Sequence, residues 1–595
     1  MFFEIDKKLD GDPVRLCKNI TVEGEGYARD VALECAERFG AEDGTVKSIR
    51  FVPGEGESYS IDVRDCEIVV SGHVIYGGVT LLQLCEFGEL CTGKLEDSPD
   101  CEFRGYRVYL PGRKFFSDFK NMVDTLAYYK YNYLSVEIGG AMEYKRHPEI
   151  NEAWRAFAEE THKYSDRTLE IQKGFPWAKD SIHTENGDGD ILTQDEVREL
   201  IDYARYRGLK VYPEAPTMSH TDYICLAHPE IREREEDPYP DTYCPNHPDT
   251  YKIVFDILDE IIDVFQPEVV NIGHDELYSV GLCPRCRDKH PDELYAQDIT
   301  KIHDYLAERG IKTMMWGEKL LPVVLTRGRT YGGAGSRRPN KEYPPLFLCQ
   351  YMIPNDVIML HWYHSFGEQY DFVYHTHGFP VVYGNLSLDR FEAWRRRKSR
   401  GKVLGGSFSN WGSNETEYMQ RNCQFMRIIF GAYAFWSKTY DTPDNERVLY
   451  LTYEEAYRRH FGNGHAVVFE HNTDVFMPYE PFYCGKFIDE KACRLGDYKV
   501  TYSDGSVELF PVKYGTNISN EDMPVTLKEF AEKYGRSSTD EVALGEICYS
   551  VIPLRKNGKT YFRTQFEDKR PDTEIASVEF IPARDCKVDF TWYRK

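Results

Sequence analysis

The sequence predicts an α/β protein: a (β/α)8 TIM barrel preceded by a small α+β domain and followed by a β-rich C-terminal domain. Three observations carry that expectation. From Arg104 onward a unit of helix, Gly or Asn, apolar strand and then a polar or aromatic residue repeats along the chain. Eight strand candidates fall between residues 104 and 411, the number that closes a parallel barrel. The flanking segments lose this rhythm and carry short stretches that alternate with period two. At 595 residues the chain exceeds one core, so roughly two to four domains are expected. They are placed at 1–100, 101–440 and 441–595.

In the first segment, "SIRFVP", "YSIDV" and "EIVVSG" read as strands and "RDVALECAERFG" as a helix, with "EDSPDCEF" as the linker. The barrel opens with "RGYRVYL" and the helix "SDFKNMVDTLAYYKYN", where Phe119, Met122, Val123, Leu126 and Ala127 share one face and Ser117 is placed to cap it. "YLSVEIGG" follows. The second helix begins with the capping box Thr193 to Glu196 and ends at Gly208, ahead of "LKVYPEA". The third, "YKIVFDILDEIIDVF", leads into "EVVNIGHDE". The remaining strands are "KTMMWGE", "VIMLHWY", "PVVYGN" and "VLGGSFSNW". Beyond residue 440 a helical tail, "YLTYEEAYRRHFG", gives way to the hairpin-like "YKVTYSDGSVELFPVKYG".

Composition excludes several functions. The net charge of −25 repels phosphate backbones and anionic membranes, which argues against nucleic acid and membrane partners. No stretch approaches the ~18 apolar residues of a membrane span. The start lacks a basic segment followed by an apolar one, and 16 cysteines lack framework spacing, so reduced thiols and a cytoplasmic location are expected. A homo-oligomer is compatible with the sequence. Nucleotide-loop, zinc-protease and serine-hydrolase motifs are absent from it.

Barrels of this kind place their active sites at the C-terminal ends of the strands. Glu276, Glu214, Trp316, Trp362, Asn385 and Trp411 all fall there. Asp275 and Glu276 are adjacent, whereas neighbours on a strand point to opposite faces, so the pair serves one pocket only if the chain turns there. Solvated acids paired with Arg285 or Arg287 are the competing reading. The tryptophans can wall a sugar pocket or merely plug the barrel mouth. His220 follows the third strand, a position that singles it out. Cys283 and Cys286 form a C-x2-C pair, and Cys225 and Cys244 lie on preceding barrel connections. Together the four thiolates would hold a structural zinc, with plain thiols as the alternative.

The ordered series "GGVTLLQL", "FRGYRVYLPGRKFFSDFKNMVDTLAYYKYNYL", "LKVYPEAPTMSH" and "NIGHDE" resembles glycoside hydrolase family 20, the β-N-acetylhexosaminidases, over residues 60–440. The resemblance implies an exo-acting, retaining hydrolase of N-acetylhexosamine-containing glycans with no catalytic cofactor. In this family the substrate's 2-acetamido oxygen attacks C1 to form an oxazolinium ion. Glu276 matches the general acid/base and Asp275 the carboxylate that orients the acetamido group. Arg104 matches the arginine for the 3- and 4-hydroxyls, Tyr383 the tyrosine on the acetamido oxygen, and His220 the histidine near the acid/base. Trp316, Trp362 and Trp411 match the walls of the acetamido pocket. The chain departs from the pattern at His274 (usually Gly), in "VEIGGAMEY" (usually ending in an Asp pair), at Asn385 (usually Asp) and at Ser413 (usually Glu). These departures imply altered recognition of the sugar's far side. The rival readings are a relative acting on a modified or branched hexosaminide, and a catalytically silent sugar-binding barrel.

Overall fold

The computed structural model describes residues 7–162, 165–338, 341–386, 393–421, 424–440, 455, 465–477, 493–524 and 552–595. At its centre is a closed barrel of parallel strands: Phe103–Tyr109, Tyr133–Glu137, Lys210–Thr217, Val269–Gly273, Lys312–Trp316, Ile358–Leu360, Pro380–Tyr383 and Lys402–Ser409. The last pairs with the first, Gly405 opposite Phe103. These are the eight strands read from the sequence, in the same order. Their inward positions, among them Phe103, Tyr212, Val269, Met314, Trp316, Leu360 and Val382, form a core of their own. Outward positions such as Tyr106, Val270 and Met359 join the larger core beneath the helices. Burial on both faces explains why the strands read as apolar runs.

Helix Gln194–Tyr206 carries the expected capping box, and Gly208 follows with φ +88°. Helix Phe116–Tyr128 begins differently. A 3-10 turn, Arg113–Phe115, feeds into it, so Phe115 is the capping position and Ser117 lies inside the first turn. The strand–helix rhythm also fails once. Between the fifth and sixth strands two short hairpins replace a helix, Pro322–Val324 with Thr330–Gly332 and Ser336–Arg338 with Lys341–Tyr343.

The N-terminal segment forms a 6-stranded mixed sheet covered by helices Gly26–Phe39 and Val74–Glu86. The second helix has no legible amphipathic stripe because Tyr76 to Leu84 are all buried. At the other end, a 4-stranded and a 3-stranded sheet hold the C-terminal β-structure, with Phe469 stacked on Tyr498 at 4.0 Å in the core. The predicted hairpin is strands Arg494–Tyr502 and Val507–Lys513. The helical tail at 450–462 lies outside the described residues apart from Glu455. Among the described residues no helix is long and apolar enough to cross a membrane.

Arg104 ties the first two parts together. Its guanidinium meets Glu57 at 2.8 Å and 3.0 Å and the Tyr76 hydroxyl at 2.7 Å, and donates to the carbonyls of Cys101 and Lys130. This corrects the expectation that Arg104 binds sugar hydroxyls. Strand alternation turns it away from the barrel axis, toward the N-terminal sheet. Arg104 is buried and Glu57 half-buried, so removing the guanidinium strands a carboxylate that solvent partly screens and leaves two carbonyls without their donor, at about 1–3 kcal/mol. Arg104→Met is therefore expected to lower the unfolding free energy by about that much, read as a lower denaturant midpoint at unchanged slope, while leaving KM unchanged in the folded protein. A raised KM at unaltered stability would restore the substrate role.

Candidate active site

The fourth strand ends in a turn that sequence alternation does not allow for. Gly273, His274 and Glu276 all have positive φ, at +73°, +70° and +54°. A Cβ at Gly273 would come within 3.0 Å of the Pro216 Cα, so glycine is required. His274 takes a conformation that costs a non-glycine residue about 1–3 kcal/mol, and it is anchored accordingly. Its Nε2 lies 3.0 Å from Asp298, its Nδ1 3.1 Å from the Thr217 hydroxyl, and its carbonyl accepts the Tyr295 hydroxyl at 2.7 Å. His274 is thus a buried anchor facing the surrounding helices. The turn frees Asp275 and Glu276 to serve the same mouth.

Glu276 is held from two sides. Its amide donates to Glu318 Oε1 at 2.7 Å, and Glu318 Oε2 accepts the Trp362 indole N–H at 3.1 Å. Its carboxylate Oε2 accepts the Ser181 hydroxyl at 2.8 Å and the Ser181 amide at 3.1 Å. Burial pushes the Glu318 carboxyl up to about 7, against the pull of the neighbouring Lys319 ammonium.

His220 stands between the two carboxylates. Its Nδ1 lies 2.9 Å from the Ser181 carbonyl, which can only accept, so that nitrogen carries a proton. Nε2 then faces Asp275 Oδ2 at 3.4 Å and Glu276 Oε2 at 3.9 Å. Burial opposes the imidazolium, but the charges of Asp275, Asp180 and Glu276 outweigh it and hold the ring well above the ordinary histidine value. Burial likewise opposes the Asp275 anion, and His220, followed by Arg107, keeps its carboxyl below the usual range. Asp180 accepts the His220 amide at 2.8 Å.

Trp316, Trp362 and Trp411 come together at the mouth, packed with Met314, Leu360 and Val382. Trp316 and Trp411 have centroids 5.8 Å apart and planes tilted by 41°. Trp411 donates its indole N–H to Asn385 Oδ1 at 3.0 Å, which brings Asn385 into the site as well. Tyr383 is not brought in. Val382 takes the inward position, and Tyr383 turns outward to donate to Asp371 Oδ2 at 2.9 Å, a carboxylate also gripped by Arg397. The expectation that Tyr383 reaches the acetamido oxygen is therefore corrected by one step of strand parity.

Besides Ser181, Asp180 and Glu318, two further groups went unnoticed in the sequence. Arg107, inward-facing, meets Glu214 at 2.9 Å, pairs with Glu137, and lies 3.7 Å over the Trp411 ring. Glu214 in turn accepts the Trp316 indole N–H at 2.8 Å. His183 stacks on His220 at 4.3 Å, with its Nδ1 3.0 Å from Glu137 and its Nε2 3.3 Å from Ser181 Oγ. Nothing local in "KDSIHTENG" announced this. Glu137 at a strand end was the single available signal for both.

Ser181 has one hydroxyl proton for two neighbours. When it donates to an ionised Glu276, His183 Nε2 must donate to it. When Glu276 is protonated, the direction of both bonds can reverse, so Glu137, His183, Ser181 and Glu276 form a chain along which a proton can move.

A sequence profile described as "Glycosyl hydrolase family 20, catalytic domain" matches residues 102–448, more than half of the chain. The chain is 27% identical over 270 residues to a beta-hexosaminidase of Akkermansia muciniphila, covering 41% of this chain and 51% of that protein. It is 28% identical over 285 residues to a beta-hexosaminidase of Vibrio furnissii, covering 43% of each. The chain thus spans about half the length of the curated relatives it matches. Among solved structures, a β-N-acetylhexosaminidase from Bacteroides fragilis NCTC 9343 aligns with a TM-score of 0.53 at 19% identity, covering 76% of this chain and 93% of that one. The exo-β-N-acetylglucosaminidase of Vibrio harveyi, solved with N-acetylglucosamine, gives 0.51 at 18% identity, with coverages of 74% and 72%. At such identity the likeness is one of fold.

The Ser181 hydroxyl links the Glu276 carboxylate to His183. Ser181→Ala should lower kcat by about tenfold, the worth of one hydrogen bond to a charged group, with little change in KM. His183→Ala should lower kcat in the same sense. A kcat equal to that of the parent protein in both variants would remove both residues from the proton path.

Proposed function

We propose, from the premise that this chain belongs to glycosyl hydrolase family 20, that it is a retaining exo-β-N-acetylhexosaminidase whose nucleophile is the substrate's own 2-acetamido group. The observation that carries this reading is the turn that aims Asp275 and Glu276 at one mouth, with His220 Nε2 3.4 Å and 3.9 Å from their carboxylates. Two carboxylates so close to one histidine suit an acid/base and an orienting group better than a facing pair that handles opposite sides of a sugar.

In the first step the acetamido oxygen attacks C1 while the glycosidic C–O bond breaks, and protonated Glu276 gives its proton to the departing oxygen. Asp275 accepts the acetamido N–H and offsets the positive charge of the oxazolinium ring. In the second step water adds to C1, Glu276 takes its proton, and the acetamide is restored with the β configuration retained. The indoles of Trp316, Trp362 and Trp411 supply apolar walls for the acetamido methyl and the sugar face. No metal or cofactor enters either step.

Recognition of the sugar's far side supports a narrower reading, in which a substituted hexosaminide is accepted. Asn385 carries no charge and has its carbonyl engaged by Trp411, and Ser413 is likewise neutral. Neither repels a sulfate or phosphate as a carboxylate does. A silent sugar-binding barrel fits less well, since it has no use for Asp275 and Glu276 held as they are.

Glu276→Gln is expected to lose ~10²–10⁴ in rate, and less with aryl leaving groups that need no proton. Asp275→Asn should slow the enzyme through charge stabilisation instead, with the leaving-group dependence unchanged. A thiazoline mimic of the cyclised intermediate should bind far more tightly than substrate. Rapid hydrolysis of a plain β-glucoside, or a glycosyl ester trapped on any carboxylate, would falsify substrate assistance. For specificity, an O6-sulfated aryl β-N-acetylglucosaminide should be cleaved with a kcat/KM within about tenfold of the unsubstituted sugar, a difference of ~1.4 kcal/mol. Strict rejection of it would leave only the unmodified hexosaminide.

A further inference from the structure

The loops that leave the third and fourth barrel strands meet at Glu233, Cys244, Cys283 and Cys286, and we propose that these four side chains bind one structural zinc ion. All are buried, at 1%, 1%, 3% and 0% exposure. One ligand atom from each lies within 4.8 Å of all the others. The Cys244 sulfur is 3.4 Å from that of Cys286 and 3.3 Å from that of Cys283. With Zn–S bonds of about 2.3 Å, sulfurs in a tetrahedral shell stand roughly 3.8 Å apart, so a shift of a few tenths of an ångström per atom fits the ion.

Glu233 supplies the independent observation. Its Oε1 accepts the amides of Leu282 at 2.7 Å and Cys283 at 3.3 Å, which fixes the carboxylate's direction. Its Oε2 is buried with no nitrogen or oxygen hydrogen-bond partner among the described residues, and the groups its carboxyl faces are the Cys283 and Cys286 thiols. An unpaired carboxylate oxygen in the interior is costly unless a cation meets it. The Asn246 amide lies 3.3 Å from the Cys286 sulfur, the kind of outer contact that orients a thiolate ligand. Three sulfurs and one oxygen in a tetrahedral set select zinc over magnesium or calcium, which need more oxygens.

This corrects the ligand set expected from the sequence. Cys225 is buried elsewhere, its sulfur 3.4 Å from the Thr221 hydroxyl, and Glu233 takes the fourth position. The ion would join the loop that follows His220 to the loop that follows Asp275 and Glu276. Binding displaces the thiol protons and releases them to solvent, and it stabilises only the folded chain.

The protein, purified without chelator, should contain about one zinc per chain, with three sulfurs and one oxygen in its X-ray absorption shell. Cys283→Ser and Glu233→Ala should each lose at least tenfold in zinc retained against a competing chelator, whereas Cys225→Ser should retain it. Stripping zinc from the parent protein should lower Tm and leave thiols that titrate with a thiol reagent. If Cys283→Ser fails to fold, the absorption shell of the parent protein decides. Protein with no bound metal would overturn the site, and a four-sulfur shell would overturn the role of Glu233.

Discussion

The left-handed exit from the fourth barrel strand is the constraint on which the rest of the site depends. An ordinary strand end sends consecutive side chains to opposite faces, and Asp275 and Glu276 would then be parted by the sheet. Positive φ at Gly273, His274 and Glu276 breaks that alternation. The strained backbone persists because its surroundings over-determine it: Asp298 and Tyr295 hold His274, and Glu318 holds the Glu276 amide. The histidine where the family commonly has glycine is therefore accommodated by a partner on the following helix.

Charge is the second ordering principle. Few buried charges in the barrel mouth stand alone. Arg107 is shared by Glu137 and Glu214, and Lys179 by Asp237 and Asp241. His220 faces Asp275 and Glu276. In an environment of low effective dielectric, breaking one of these pairs leaves a desolvated ion behind, so each pair also fixes the side chain beside it. Trp316 is oriented by Glu214 and Trp362 by Glu318, which makes the aromatic walls as rigid as the ion pairs behind them.

The departures from the family pattern become intelligible in the same terms. The His220 ring is held by the Ser181 carbonyl on the long connection after the second strand, and the neighbouring Asp180 accepts the His220 backbone amide. The acid that does end that strand, Glu137, serves His183 and Arg107. These groups sit close in space and far apart in sequence, around the acid pair at 275–276.

The sequence by itself determined the barrel, its strand order and the position of the acid pair. Those properties depend on local periodicity and on order along the chain, and both can be read in one dimension. The period-two alternation that revealed the strands did not reveal their parity. Arg104 and Tyr383 turn out of the barrel because each lies one residue from an inward position, held by Phe103 and Val382. Helix Val74–Glu86 escaped notice because burial on every side erased its stripe, and the hairpins after the fifth strand because three-residue strands carry no periodic signal. Contacts across long separations were decided by tertiary structure alone. Ser181 reaches Glu276, His183 reaches Glu137, and Glu233 displaces Cys225 beside three cysteines, because the closed barrel brings loops from successive strands to the same rim.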